Sequence, residues 1–382
     1  MGEVVRYTYR LRPGGAAEKA LLAEWGRCRW LWNEAVHQQR SGQKPTFARL
    51  GKLLTRARAA MPWLHQGSQV AQQQMLRDYM RSLDHSFTVA GRGRPKFKSR
   101  KTSSPSLEYT TRGFSIREGR LVLPKGVTVP VVWSRVLPSA PTSVRVYRDS
   151  LEHWYASFVV CRDIPVHPHG EGGIGIDWGV STTATTTDPF FDLPYLGYRK
   201  RCAAELAKAQ RAMARRRRKG RPQSRGYSDA KRRAARLAKK AARQTLHDSR
   251  VWAARVVDTH DLIAIEDFAP RFLAKSTMAR KAADAAVGAA KRELVERAVR
   301  AGRKVVMVRP AYTTMTCSRC FARTKRLELH ERDFRCQDCG YADSRDRNAA
   351  RVILAVAERG HVSVEDVRQL DHSLRVGGSV AV

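Results

Sequence analysis

The period of the apolar positions changes repeatedly along the chain. Residues 4–12, VVRYTYRLR, alternate apolar and polar, as a strand with one buried face does. From Ala16 to Arg40 the period lengthens to that of a helix, with Leu21, Trp25, Cys28 and Trp32 on one stripe. Further helices are predicted over about 46–60 and 68–89, the latter with Ala71, Met75, Tyr79, Leu83 and Phe87 on one face. From Leu107 to Cys161 alternation returns. FSIREGRLVL reads as a hairpin turning at Glu118-Gly119, and VTVPVVW, TSVRVYRD and HWYASFVV follow as strands. Strands on both sides of a helical insertion predict a small β-barrel, closed by residues 4–12.

After a linker marked by Pro165, Pro168 and Gly170–Gly173 the class changes. GIGID is a buried strand ending at Asp177, with a turn at Gly179 and a second strand behind it. Helices are predicted over 199–218 and 229–258, joined by GRPQSRGYS, the second capped by Ser228 and striped by Ala234, Leu237, Ala241, Thr245, Trp252 and Val256. DLIAIEDF is a short continuous apolar run, as in a central strand, and ends in Glu266. A helix over 279–301, the strand KVVMV at 304–308 and a helix opening at DRNAARVIL complete the pattern. The second half is thus α/β, with Asp177, Glu266 and Asp346 each at the end or start of an element.

Composition narrows the partners. Of 382 residues, 72 are Lys or Arg and 35 are Asp or Glu, a net charge of +37. Such self-repulsion calls for an anionic partner. Hydrophobic residues still make up 42 %, enough for real cores. Nucleic acid is the expected partner. A membrane is the rival, but no apolar run is long enough to span one. The opening MGEVVRYTYRLRPGG lacks a signal-peptide pattern, so a cytoplasmic, nucleoid-associated protein is expected. Phosphate contacts are expected from Arg29, from Lys96, Lys98 and Arg100 in GRGRPKFKSRK at 91–101, and from Arg215, Arg216, Arg217 and Arg218. The competing reading of 91–101 is a solvated linker.

Two knuckles carry the clearest chemistry. Cys317-x-x-Cys320 and Cys336-x-x-Cys339, fifteen residues apart, have the spacing of a four-thiolate zinc ribbon. Gly340 after the second knuckle suits a close backbone approach. Two disulfides are the alternative, less expected in a reducing compartment. Cys28, Cys161 and Cys202 are read as buried thiols. The ribbon delivers the chain to Asp346. Converging carboxylates repel one another and need divalent cations, and hard oxygen ligands select magnesium or manganese. Two such ions can clamp a phosphodiester displacement. Asp261, Asp267 and Asp343 are rivals for these roles, and Asp346 taken alone could be a helix-dipole charge.

The chain resembles TnpB, the RNA-guided nuclease of bacterial insertion sequences and a relative of compact type V CRISPR effectors. YTYRLRP…CRWLWNEAV resembles the family's opening strand and first helix. GIDWGV, IEDF and DRNAARVIL resemble the three motifs of its RuvC-like, RNase H-type fold, and CSRC…CQDC its zinc ribbon. Trp178 is a bulky residue after the first Asp, and Ser344 stands where an acid is common.

The resemblance implies a β-barrel wedge domain (residues 1–14 and 91–165) with a helical recognition insertion (15–90). It further implies a nuclease domain (171–312 and 342–360), a ribbon (313–341) and a tail (361–382). It places the catalytic, magnesium-binding acids at Asp177, Glu266 and Asp346. It implies one structural zinc, two catalytic magnesium or manganese ions, a guide RNA and double-stranded target DNA, read by base pairing beside a short flanking motif. A monomer is expected, because nothing in the sequence suggests a strong dimer seam. A nuclease-inactive repressor of the same architecture, or a transposition accessory protein, is the alternative.

Overall fold

In the first of two units, residues 1–164, the chain runs β1 (Gly2–Leu11), α1 (Gly15–Arg40), α2 (Phe47–Ala60), α3 (Pro62–His65) and α4 (Gln69–Thr88). It continues through β2 (Ser106–Thr110), β3 (Ser115–Arg117), β4 (Arg120–Leu123), β5 (Val127–Val132), β6 (Ser143–Arg148) and β7 (Trp154–Asp163). This computed structural model describes residues 2–100, 102–163, 170–268, 279, 281, 285–324 and 331–369. The linker over 165–169, residues 280 and 282–284 of the expected helix at 279–301 and the end of the tail lie outside the described residues.

The sheet of the first unit has the order β2-β6-β7-β1-β5-β4-β3. β1 lies in the middle, antiparallel to both β7 and β5, and so joins the two groups of strands that follow the helical insertion. Among the described residues no ladder joins the edge strands β2 and β3. Yet only a short turn separates Thr110 from Ser115, a stretch that spans at most about 17 Å. A flat sheet of this order would hold the two edges about 29 Å apart. The sheet therefore curls strongly, and its two edges are tied by the turn rather than by hydrogen bonds.

The helices share one core with this sheet. Leu21, Trp25, Cys28, Leu31, Leu54, Met75 and Tyr79 pack with Tyr9, Tyr109, Val146 and Phe158. Thr46 and Ser68 cap α2 and α4, accepting from Arg49 N and Ala71 N. Phe87 leaves the predicted stripe: it is 69 % exposed, one residue before the end of α4, with the Arg94 guanidinium 6.0 Å from its ring centroid.

The second unit contains β8 (Gly173–Trp178), β9 (Thr182–Thr186), β10 (Leu193–Pro194), α5 (Tyr198–Arg201), α6 (Ala203–Arg216), α7 (Arg225–Thr259) and β11 (Leu262–Glu266). It ends with α8 (Val287–Arg300), β12 (Lys304–Val308), β13 (Asp333–Arg335), β14 (Ala342–Ser344) and α9 (Arg345–Glu358). Its main sheet has the order β10-β9-β8-β11-β12. β8, β11 and β12 are parallel, and β9 turns back antiparallel on β8.

The cap of α7 is Ser224, not Ser228. Ser224 accepts from Tyr227 N, and the Ser228 hydroxyl donates back to Ser224 O inside the first turn. Both serines satisfy a capping pattern, and the local hydrogen bonds choose the earlier one. α6 ends at Arg216, so Arg217 and Arg218 leave the helix. Among the described residues no helix is long and apolar enough to cross a membrane.

Candidate active site and cysteine cluster

Strand alternation decides which side chains meet. In β8, Ile174, Ile176 and Trp178 face a core that includes Trp252, Val256 and Leu294. The intervening Gly173, Gly175 and Asp177 face the other way, toward α9. A Cβ on Gly175 would lie 2.0 Å from Ala350 O and 2.8 Å from Leu354 Cβ, and one on Gly173 2.8 Å from Leu354 Cδ1. The glycines of GIGID are thus the space in which α9 rests. The helix rises about 6 Å over four residues and the strand about 6.6 Å over two, so the two repeats nearly match. Leu354 sits at Gly173 and Ala350 at Gly175. One further step along each element brings Asp346 to Asp177.

Glu266 arrives by register. Ile265 pairs with Ile176 in the parallel ladder, so Glu266 ends β11 level with Asp177. Ile263 and Ile265 share the core of Ile174 and Ile176, whereas Ala264 packs with Val352, Ile353 and Val356 of α9. By alternation Glu266 lies on the α9 face with Asp177. Asp177 and Glu266 are each 7 % exposed, whereas the Asp346 carboxylate is one-third exposed.

The electrostatics report the convergence. Burial pushes the Asp177 carboxyl well above its usual range, and the charges of Glu266 and Asp346 push it further. Arg345 and the Trp178 N–H oppose the shift. Glu266 is raised to about 7, chiefly by burial, against the counteracting charge of Lys291 and a hydrogen bond from Thr313. Asp346 is partly balanced by Arg345 at 3.5 Å and Arg332 at 3.9 Å. Arg347 braces the same helix end on Asp192 through two hydrogen bonds of 3.0 and 2.9 Å. Ser344, at the position where an acid is common, is the N-cap and accepts from Arg347 N.

The rival acids are engaged elsewhere. Asp267 pairs with Lys291 at 3.0 Å. Asp343 pairs with Arg351 at 2.6 Å and accepts from the Tyr341 hydroxyl. Asp261 pairs with Arg303 and precedes β11, at the opposite end of that strand from Glu266. Trp178, the bulky neighbour of Asp177, is a core residue in edge contact with Trp252.

Four thiols form the second cluster. Cys317 Sγ lies 3.6 Å from Cys339 Sγ, and Cys320 Sγ 3.6 Å from Cys336 Sγ. All four sulfurs lie within 4.8 Å of one another. Disulfide sulfurs would be about 2 Å apart. Four thiolates about 2.3 Å from one tetrahedral zinc would be about 3.8 Å apart, so the set fits the metal. Among the described residues this is the one group that brings three or more candidate ligand atoms so close.

The two knuckles share one wiring. Cys317 N donates to Ala322 O and Phe321 N to Cys317 O; Cys336 N donates to Tyr341 O and Gly340 N to Cys336 O. Both take a left-handed residue at the fourth position, Phe321 (φ 59°) and Gly340 (φ 71°). Gly340 is therefore favoured by its positive φ and not by close approach, since a Cβ there would meet nothing within 4 Å. Of the remaining cysteines only Cys28 is buried; Cys161 is exposed and Cys202 half-buried.

The basic candidates separate. Lys96, Arg100 and Arg215 to Arg218 are exposed, and Arg29 is half-buried. Lys98 turns inward: its ammonium sits 3.5 Å from the Trp32 ring centroid and 5.4 Å from that of Trp25, and burial lowers its pKa to about 8. Trp32 Nε1 donates to Lys96 O, and Asn33 makes two hydrogen bonds to the Lys98 backbone. The segment is thus pinned to α1 by its middle, with charges displayed on either side.

Two features are absent from the sequence-based expectations. One is the exposed basic side of α7, on which Arg236 and Arg243 lie seven positions apart, about two turns. The other is Asn348, fully buried two residues after Asp346. The first is masked because a helical stripe is recognised by its apolar side. The second carries no local signal beyond its distance from the acid.

Comparison with known proteins follows the same division. Residues 157–277, which include Asp177 and Glu266, match the family model described as "Probable transposase". Residues 288–353, which include the cysteines and Asp346, match "Cas12f1-like, TNB domain". A Streptomyces pristinaespiralis protein named "Putative RNA-guided DNA endonuclease" is 29 % identical over 393 residues, 98 % of this chain and 94 % of its own. The Escherichia coli K12 protein "Putative RNA-guided DNA endonuclease InsQ" is 28 % identical over 383 residues, 93 % of this chain and 92 % of its own. The solved structure "Cryo-EM structure of the Cas12f1-sgRNA-target DNA complex" contains a chain of like fold, with a TM-score of 0.56 at 12 % identity, covering 92 % of this chain and 99 % of that one.

Proposed function

From a chain that resembles the TnpB family along nearly its whole length, we propose an RNA-guided, magnesium-dependent DNA endonuclease of a transposable element. Its second unit is then a RuvC-like, RNase H-type nuclease domain. The observation that carries the reading is the meeting of Asp177, Glu266 and Asp346 on one face of the sheet. Two are buried with raised pKa values, and the nearby cations offset the repulsion only in part. A carboxylate set of this kind fits hard divalent cations. Asp177, Glu266 and Asp346 would hold them, and bound magnesium would supply a Lewis acid and lower the pKa of a water near the scissile phosphate.

The chain's own residues set the conditions. Lys291 donates to Glu266 O and to Asp267, fixing the end of β11 and keeping Asp267 turned aside. Thr313 holds the Glu266 carboxyl by a hydrogen bond. Arg347 and Asp192 fix the N-terminal turn of α9, and so the height of Asp346 above Asp177. Arg215 to Arg218 and the basic face of α7 offer phosphate contacts for guide and target, while pairing between the strands supplies sequence. The test is plasmid cleavage with matched guide RNA and magnesium, run beside filter binding. Asp177→Ala should abolish cutting while guide and target binding survive. Cutting at the parent's rate would put the active site elsewhere.

A further inference from the structure

Asn348 lies on α9 half a turn from Asp346 and is wholly buried. Its carboxamide leaves its own helix and grips the ribbon. Oδ1 accepts from Ser318 N at 2.9 Å, and Nδ2 donates to Thr316 O at 2.8 Å. Thr316 and Ser318 are the residues on either side of Cys317. One side chain thus holds the backbone before and after a cysteine of the cluster. Only a carboxamide offers an acceptor and a donor from one planar group in this orientation. A carboxylate could accept from Ser318 but not donate to Thr316, and it would add charge beside the thiols.

We infer that Asn348 is a positioning residue: it locks the first knuckle to the helix that carries Asp346, so that metal occupancy of the cysteine cluster sets where that acid stands. The inference rests on the proposed nuclease reading. Further contacts bind the same two pieces together. Phe321 of the first knuckle packs with Val352 and Val356 of α9, and Arg359, just beyond the helix, lies over its ring at 4.2 Å. These apolar contacts set how deep the helix sits. The carboxamide pair, directional and short, sets its rotation and its slide along β8. A slide of one residue, about 1.5 Å, would take Asp346 out of line with Asp177.

The experiment uses full-length protein with matched guide RNA. Asn348→Ala should keep about one zinc per chain, because the four cysteines are untouched, and should bind target within about twofold of the parent. Its single-turnover cleavage rate at saturating target should fall roughly 10- to 100-fold, the range seen when a residue that orients a metal ligand is lost. Combined with Cys317→Ser it should add little to the effect of Cys317→Ser alone, as two changes on one path do. Additive losses would assign Asn348 to general stability and overturn the inference.

A second measurement covers a variant that fails to fold. Stripping zinc from the parent by chelation should raise hydrogen exchange at the amides of residues 347–352 as well as in the ribbon. Unchanged exchange in the helix would overturn the inference. If Asn348→Ala cuts at the parent's rate while Asp346→Ala does not, positioning by Asn348 is refuted and the nuclease reading stands. If Asp346→Ala also cuts, the nuclease reading itself falls.

Discussion

Glu266 holds a proton near neutral pH that an exposed glutamate would have lost. Its ordinary value is 4.5 and its value in the fold is about 7. Between these values the folded chain binds a proton that the unfolded chain has released, so stability falls as pH rises through that window and is flat above it. The difference corresponds to about 3 kcal/mol. Without divalent cations, thermal unfolding should therefore show a melting temperature that declines from pH 5 to pH 7. Glu266→Gln should flatten that decline, and magnesium should restore stability above pH 7 in the parent but much less in the variant. Protons and magnesium compete for the same oxygens, so cleavage at limiting magnesium should rise with pH through about 7. Lys98 makes the opposite point at the same scale. Sequence displays it as one of three like charges, and only the fold shows Trp25 and Trp32 closing around it. Its partners are more than sixty residues away, and no local pattern encodes them.

At the scale of elements, the packing of α9 on β8 is the critical contact. Gly175→Ala would set a methyl 2.0 Å from a backbone oxygen that cannot rotate away. Destabilisation of about 3 kcal/mol or more is expected from denaturant unfolding, and cleavage should be lost even where folding survives at low temperature. The ribbon is the other element with a sharp test. Elemental analysis should find about one zinc per chain, lost in Cys317→Ser together with order in the knuckles.

Much of this architecture is legible in the chain. Cysteine spacing marks the cluster, and the short apolar runs mark the strands that carry Asp177 and Glu266 at or next to their ends. GIGID is legible only as a buried strand, because a glycine's reason is the atom it makes room for, here Ala350, 175 positions on. The expected cap of α7 is off by one turn because two serines four apart each satisfy the local rule. The joining role expected of residues 4–12 is legible, since β1 links β5 to β7, but alternation reveals strands and not their order, so the open edges at β2 and β3 are not.

At the scale of the molecule the surplus of 37 positive charges governs association with other molecules. Non-specific binding should weaken steeply with salt, at a slope of about −0.9 per phosphate neutralised on duplex DNA. Replacing Lys96 and Arg100 by Gln should make that slope shallower by about one unit per lost contact. The same should hold for Arg215 to Arg218. Lys98→Met should leave the slope unchanged while lowering the melting temperature, since that ammonium faces two indoles. A slope that moves with Lys98 would show its cage opening on nucleic acid. The net charge is readable from composition alone. Which cations face outward is not, because that depends on what lies beneath each one.

The acids lie 89 and 80 positions apart in the chain, from 177 to 266 and from 266 to 346. Their alignment owes nothing to the length of what separates them. It comes from a ladder between β8 and β11 and from a rack-like engagement of α9 with the glycine side of β8. Such a mechanism is indifferent to cargo in the first interval, where the long helical pair could be lengthened, shortened or exchanged without re-aiming the carboxylates, provided that the ends of β8 and β11 are kept. In the second interval the first knuckle is held to α9 through Asn348, so only the part of the cysteine segment beyond that knuckle has the same freedom. The same design makes the centre a natural place to graft a foreign segment, with the hairpin tip around Gly220 as the first site to try.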